Sequence, residues 1–158
     1  PQGGAGVMLE SARPEDREAV EALARQVHGL HVSWRPDLYT MPEALYPEPL
    51  YVQALEQKSL FVARQEGTVV GYLRIRRLDA EGNGLVPHRE LAVEELCVRE
   101  DLRGQGIGTR MLQEAAVLAK AFGCTSLRLG AYPQNAEALA FYQKLGFTVR
   151  SVTLEQNL

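Results

Sequence analysis

The chain predicts a mixed α/β fold: one sheet with helices on both faces. Three observations lead there. Short apolar runs of strand length alternate with two helical stripes of period 3.6. Two of the runs are joined by a turn of hairpin type, which calls for antiparallel pairing. A strand then passes through a glycine-rich turn straight into a long amphipathic helix. At 158 residues, 46% of them hydrophobic, this is one domain with enough apolar surface for a core.

The elements follow in order. Residues 1–6, small and polar, read as a flexible lead-in, and residues 7–158 as the single domain. Val7 to Ala12 forms a first strand. Arg13-Pro14-Glu15-Asp16 opens a helix, with proline and acids in its first turn. Val20, Leu23, Ala24 and Val27 give that helix one buried face, and Gly29 ends it. Residues 30–50 interleave aromatics with Pro36, Pro42, Pro47 and Pro49 and read as loop, followed by a short helix over Leu50 to Gln57. Leu60 to Ala63 and Val69 to Ile75 pair as strands about Gln65-Glu66-Gly67-Thr68, and Asp79 to Gly84 is a second turn cluster. Glu90 to Val98 is the next strand. Ile107, Met111, Leu112, Ala115, Leu118, Ala119 and Phe122 stripe a helix that Gly123 caps. Ser126 to Leu129 is a strand, Asn135 caps a helix running to Leu145 before Gly146, and Phe147 to Leu154 is a final strand.

A net charge of −3 does not favour nucleic acid or an anionic membrane as partner. No apolar run is long enough to span a bilayer, and no signal-peptide pattern stands at the start. Cys97 and Cys124 form no metal-ligand pattern, so no metal is expected and a reduced, cytoplasmic setting is the default. Cys97, inside an apolar strand, reads as a small buried hydrophobe.

The chemistry concentrates in Arg103-Gly104-Gln105-Gly106-Ile107-Gly108-Thr109. The first amides of a helix lack intrahelical partners and the dipole adds partial positive charge, so such a turn suits a phosphate. The dinucleotide fingerprint needs a third glycine where Thr109 stands, and a P-loop needs a lysine that is missing. What fits is Arg103-x-x-Gly106-x-Gly108. Together with Glu94-Glu95-Leu96-Cys97-Val98 upstream, and Asn135-x-x-Ala138-x-x-Phe141-Tyr142-x-Lys144-x-Gly146-Phe147 downstream, it resembles the GCN5-related N-acetyltransferases. These elements stand in that family's order and spacing from Glu90 to Phe147.

The resemblance implies a single, mostly antiparallel twisted sheet of six to seven strands, splayed into a cleft between the fourth and fifth. It implies acetyl-CoA as cofactor. The pyrophosphate would lie on Arg103 to Thr109, the pantetheine arm along Leu96, Cys97 and Val98, with further contacts from Asn135, Ala138 and Phe141. The reaction would be direct attack of an amine on the thioester. The Leu96 N–H is the candidate donor to the thioester carbonyl, and a preorganised donor of this kind lowers a barrier by about 3 kcal/mol. Tyr142 is the candidate acid for the departing sulfur.

On a regular strand Glu94 and Glu95 face opposite sides, and Glu94 shares a face with Leu96. Some members of the resembled family carry a carboxylate at that position, so the resemblance implies Glu94 as the candidate base through water, with bulk water as the alternative and Glu95 structural. His31, Trp34, Arg35, Tyr39 and Tyr46 are candidate walls for the acceptor. The segment His31-x-x-x-x-Pro36-Asp37-x-Tyr39 resembles bacterial small-molecule members of the family. That implies a small-molecule amine acceptor rather than nucleic acid or membrane, with a homodimer using Val149 to Leu154 as a further possibility. Two other readings stand beside it: a non-catalytic acyl-CoA sensing module, and a peptide or protein N-acetyltransferase.

Overall fold

The computed structural model describes residues 6–158, so residues 1–5 of the expected lead-in lie outside it. Five strands form one sheet in the order β1-β2-β3-β4-β5: β1 Val7–Ser11, β2 Leu60–Gln65, β3 Thr68–Gly82, β4 Leu85–Val98 and β5 Ser126–Leu129. The first three pairings are antiparallel and β4–β5 is parallel. Helices α1 (Arg17–Trp34) and α2 (Glu48–Glu56) cover one face. Helix α3 (Ile107–Ala121) packs on the other, with α4 (Ala136–Lys144) beside it.

The sheet has fewer strands than the six to seven expected. Phe147 to Leu154 forms no strand, because a strand exists through a ladder partner and none faces this segment among the described residues. The segment is tied down by charge instead: Arg150 reaches Glu90 at 2.6 Å, and Glu155 pairs with Arg35. Glu90 is buried and also meets Arg128 and His88, so one carboxylate joins β4, β5 and the tail.

Two local expectations also fail. Gly29 does not end α1; the helix continues to Trp34. A mid-helix glycine costs only about 1 kcal/mol, which the packing of His31 and Trp34 against Tyr132 offsets. The turn cluster at Asp79 to Gly84 shrinks to Asn83-Gly84, with β3 and β4 paired out to Gly82 and Leu85. Both turn residues are left-handed, φ 49° and 81°, as a two-residue hairpin of matching twist requires.

Sheet and helices meet in two cores. The α3 face buries Leu73, Ile75, Leu91 and Val93 beneath Ile107, Met111, Leu112 and Ala115. The α1/α2 face buries Leu60, Val62, Tyr72 and Cys97 beneath Val20, Leu23, Ala24, Tyr46 and Tyr51. Gly71 of β3 lets α3 seat: a Cβ there would stand 2.6 Å from the Cys97 carbonyl oxygen and 3.1 Å from Met111 Sδ.

Two irregularities of β4 open the sheet near the glycine turn. Its pairing with β5 runs only from Glu90–Ser126 to Val93–Leu129, so residues 94–98 leave that edge unpaired by any strand among the described residues. Its register against β3 steps from Val93–Ile75 to Glu95–Arg74, which leaves Glu94 as the extra residue of a β-bulge.

Candidate active site

The glycine turn is formed by backbone conformations that its sequence alone permits. Gly104 and Gly106 are left-handed, φ 79° and 80°, and Gly106 is the N-cap of α3. The first intrahelical bond runs from the Arg110 amide to the Gly106 carbonyl at 3.0 Å. The amides of Ile107, Gly108 and Thr109 precede it, and no side chain caps them. A Cβ on Gly104 would meet nothing within 4 Å, so open space lies against the turn. Arg103 and Gln105 flank that space. The arrangement suits a group rich in phosphate oxygens.

Gly108 has another role. A Cβ there would stand 3.3 Å from Phe141 Cζ and 3.7 Å from Val98 Cγ2, so this glycine admits α4 against the start of α3. Asn135 is the expected N-cap, its side-chain oxygen accepting from the Ala138 amide at 3.2 Å. Phe141 and Tyr142 pack against the α3-face core, their rings 5.4 Å apart, with Phe147 beyond Tyr142. Burial pushes the Tyr142 phenol above its ordinary pKa, so it holds its proton at neutral pH.

The unpaired edge of β4 presents backbone to the cleft. The Arg99 amide donates to the Val70 carbonyl at 2.8 Å, toward β3. Strand alternation therefore turns the N–H and C=O of Leu96 and Val98 the other way. Cys97 between them is buried at 3% exposure and donates to the Leu23 carbonyl; burial pushes its thiol up to about 12.

The bulge overturns the expected facing of the two carboxylates. Glu95 pairs with Arg74 at 2.6 Å and Glu94 with Arg76 at 2.5 Å. Those arginines are two apart on β3 and share a face, so both carboxylates lie on the α1/α2 side. Leu96 packs on the opposite, α3 side, so Glu94 does not share its face. Glu95 accepts from Tyr46 at 2.5 Å and Tyr72 at 2.8 Å, which engages both its oxygens. Among the described residues Glu94 has one hydrogen-bonding side-chain partner, the exposed Arg76.

The expected acceptor walls divide. His31, Trp34 and Tyr39 gather with Tyr132, His31 lying 5.3 Å from Tyr39 and 5.6 Å from Tyr132 between ring centroids. The Tyr39 and Tyr132 hydroxyls meet at 2.5 Å, which joins the loop after α1 to the segment after β5. Burial and the neighbouring His28 hold His31 below its ordinary pKa, with the Glu95 charge opposing them. Tyr46 is no exposed wall: it is 3% exposed, and only its hydroxyl reaches the carboxylate cluster. Arg35 is braced by Asp37 at 2.7 Å and by Glu155. Tyr72, Arg74 and Tyr132 carried no sequence signal of their own, although Tyr132 follows directly on Gly130-Ala131 at a strand exit.

Residues 24–147 match the family model of the acetyltransferase (GNAT) family. The chain belongs to that family. Among curated relatives of this GNAT chain is an uncharacterized N-acetyltransferase of Methanocaldococcus jannaschii, 32% identical over 98 residues, which are 61% of the chain and 42% of the relative. The chain spans less than half the length of the curated relatives it matches first. A mutant protein from Bacillus halodurans superposes with TM-score 0.88 at 26% identity, covering 96% of this chain and 99% of its own. An aminoglycoside N-acetyltransferase crystallised with CoA shares the GNAT fold, with TM-score 0.71 at 14% identity over 96% of this chain and 94% of its own. Among the described residues no helix is long and apolar enough to cross a membrane.

Proposed function

We propose that the chain is an acetyl-CoA-dependent N-acetyltransferase for a small-molecule amine, acting by direct attack within a ternary complex. One observation carries the reading. A complete glycine turn, with left-handed Gly104 and Gly106, stands at the exit of a strand whose edge, from Glu94 onward, pairs with no strand among the described residues. Family membership supplies the donor class.

Acetyl-CoA brings an activated thioester. Arg103 and the amides of Gly104 to Thr109 would hold its pyrophosphate, and the Leu96 edge groups with the Val98 N–H would pair with its amide-bearing arm. The Leu96 N–H is the donor for charge growing on the thioester oxygen. Tyr142 keeps its proton until the sulfur departs and then gives it up. Glu94, with one solvent-exposed partner, takes the amine proton through water, while Glu95, with both oxygens engaged, holds Tyr46, Tyr72 and Arg74 in place.

The acceptor lies on the α1/α2 side, below the His31, Trp34, Tyr39 and Tyr132 rings. The Tyr39–Tyr132 contact supports a small acceptor over a peptide, because an extended chain needs an open groove there. Both carboxylates are balanced by arginines, which disfavours a polycation.

A panel of amines screened for thiol release from acetyl-CoA tests the reading. At least one small amine is expected to turn over, whereas CoA binding without any acetyl transfer would convert the proposal to a sensing module. Tyr142→Phe is expected to lower kcat about 100-fold while CoA affinity holds. Undiminished turnover removes the phenol from the mechanism.

A further inference from the structure

Where β5 leaves β4, something else takes its place. Gln26 of α1 donates from Nε2 to the Val98 carbonyl at 2.9 Å and accepts at Oε1 from the Glu100 amide at 3.0 Å. Its orientation is dictated by its partners: a carbonyl only accepts and an amide N–H only donates. Nε2 also reaches Cys97 Sγ at 3.5 Å.

The pattern has a specific meaning in a sheet. One residue of a parallel strand donates to the carbonyl before the residue it faces and accepts from the amide after it. Gln26 makes that pair of bonds around Arg99. Arg99 itself turns its amide to Val70 on β3, so the two bonds fall on the edge that β5 has vacated. The side chain therefore stands in for one peptide of a parallel strand, in the direction in which β5 runs.

We propose that Gln26 is a positioning residue for the acyl donor. Resting on the function proposed above, it occupies the Val98 carbonyl, holds the splayed end of β4 in strand geometry, and so keeps the Leu96 edge groups and the Val98 N–H aligned for the pantetheine arm. The open window on β4 then has two fixed ends, Val93 paired to Leu129 and Val98 held by Gln26. The same side chain ties that window to the helix that carries His31 and Trp34.

Calorimetry with CoA and with ADP, which has a pyrophosphate but no pantetheine arm, tests the assignment. Gln26→Met keeps the side chain's bulk and loses both bonds. It is expected to weaken CoA about tenfold, change ADP less than twofold, and leave the melting temperature within a few degrees. Gln26→Glu keeps the acceptor for Glu100 and turns an oxygen toward the Val98 carbonyl; it is expected to weaken CoA at least as much, and it serves where the methionine variant unfolds. Equal affinities for CoA in all three proteins overturn the assignment. So does parallel weakening of CoA and ADP, which marks a merely structural side chain. A wild-type chain that binds no CoA instead overturns the donor assignment on which the proposal rests.

Discussion

The two faces of the sheet are made of different chemistry. The fully buried core of the α3 face is aliphatic apart from Phe61 and Met111, with Phe122, Phe141, Tyr142 and Phe147 partly buried at its margin. The α1/α2 face buries Tyr46, Tyr51, Tyr72 and Cys97, each with a polar end that bonds to something specific. The first face is a platform: it seats α3, whose N-cap Gly106 offers no side chain to its first amides. The second is a fitted surface in which side-chain identity matters atom by atom. A phosphate-rich donor needs only amides, an arginine and space; an acceptor is selected by placed carboxylates and rings. On the proposed function, donor and acceptor would thus be served by opposite faces of one sheet.

Substitutions can break this contrast, and the largest effect is expected at the platform's ligand end. Gly106→Glu places bulk and negative charge at the proposed phosphate site, at a left-handed position. CoA affinity is expected to fall by more than about 100-fold, or about 2.7 kcal/mol, with α3 still formed by circular dichroism. Unchanged affinity in calorimetry would move the cofactor elsewhere. Next comes the seat of α3. Gly71→Ala forces a Cβ against the Cys97 carbonyl and Met111, and urea unfolding is expected to show a loss of about 2–3 kcal/mol. A loss below half of that would mean that the close approach is dispensable.

The fitted face responds more modestly. Glu95→Gln removes the charge opposite Arg74 and one acceptor for two buried phenols, for an expected loss of about 1–2 kcal/mol, read from chemical denaturation. A neutral result would make the cluster ornamental. The smallest effect is expected in the aromatic lid. His31 is held below its ordinary pKa, first by burial and then by His28. It is neutral in the folded protein at pH values where the unfolded chain takes up a proton. The lid's stability is therefore full above about pH 6.5 and is lost as the pH falls below that value. NMR titration of His31 is expected to give a midpoint below that of a free histidine; a midpoint equal to it would place His31 in solvent, and one above it would make the Glu95 charge dominant.

The platform was legible in the chain because its signals are local. Gly104, Gly106, Arg103 and the Asn135 cap act within a few residues of where they stand, and the turn and the cap form as those residues imply, whereas Gly108 serves a tertiary contact with Phe141. The fitted face was legible only in outline. His31, Trp34 and Tyr39 were identifiable as a group, but Tyr132 joins them from 93 residues beyond Tyr39. Tyr46 was misplaced because an aromatic between prolines reads the same whether its ring is on the surface or buried. Gly29 misled for a similar reason: an isolated glycine marks a helix end only when no tertiary contact pulls the helix onward. The final strand does not form because Phe147 to Leu154 has strand-forming residues but no ladder partner among the described residues.

The order of the elements, the glycine turn and the caps of α3 and α4 were set within the chain itself, since each follows from backbone preferences over a few residues. The face to which each carboxylate belongs was set by the folded sheet. A one-residue bulge at Glu94 against Arg74–Ile75 reverses the alternation that the sequence implies, and only the pairing partner reveals it. Folding also brings in Gln26, 72 residues before Val98, to complete the strand that β5 abandons. Hydrogen-bond edges are filled by whatever the fold brings near, and that proximity is written nowhere in the neighbourhood of the residue that supplies it.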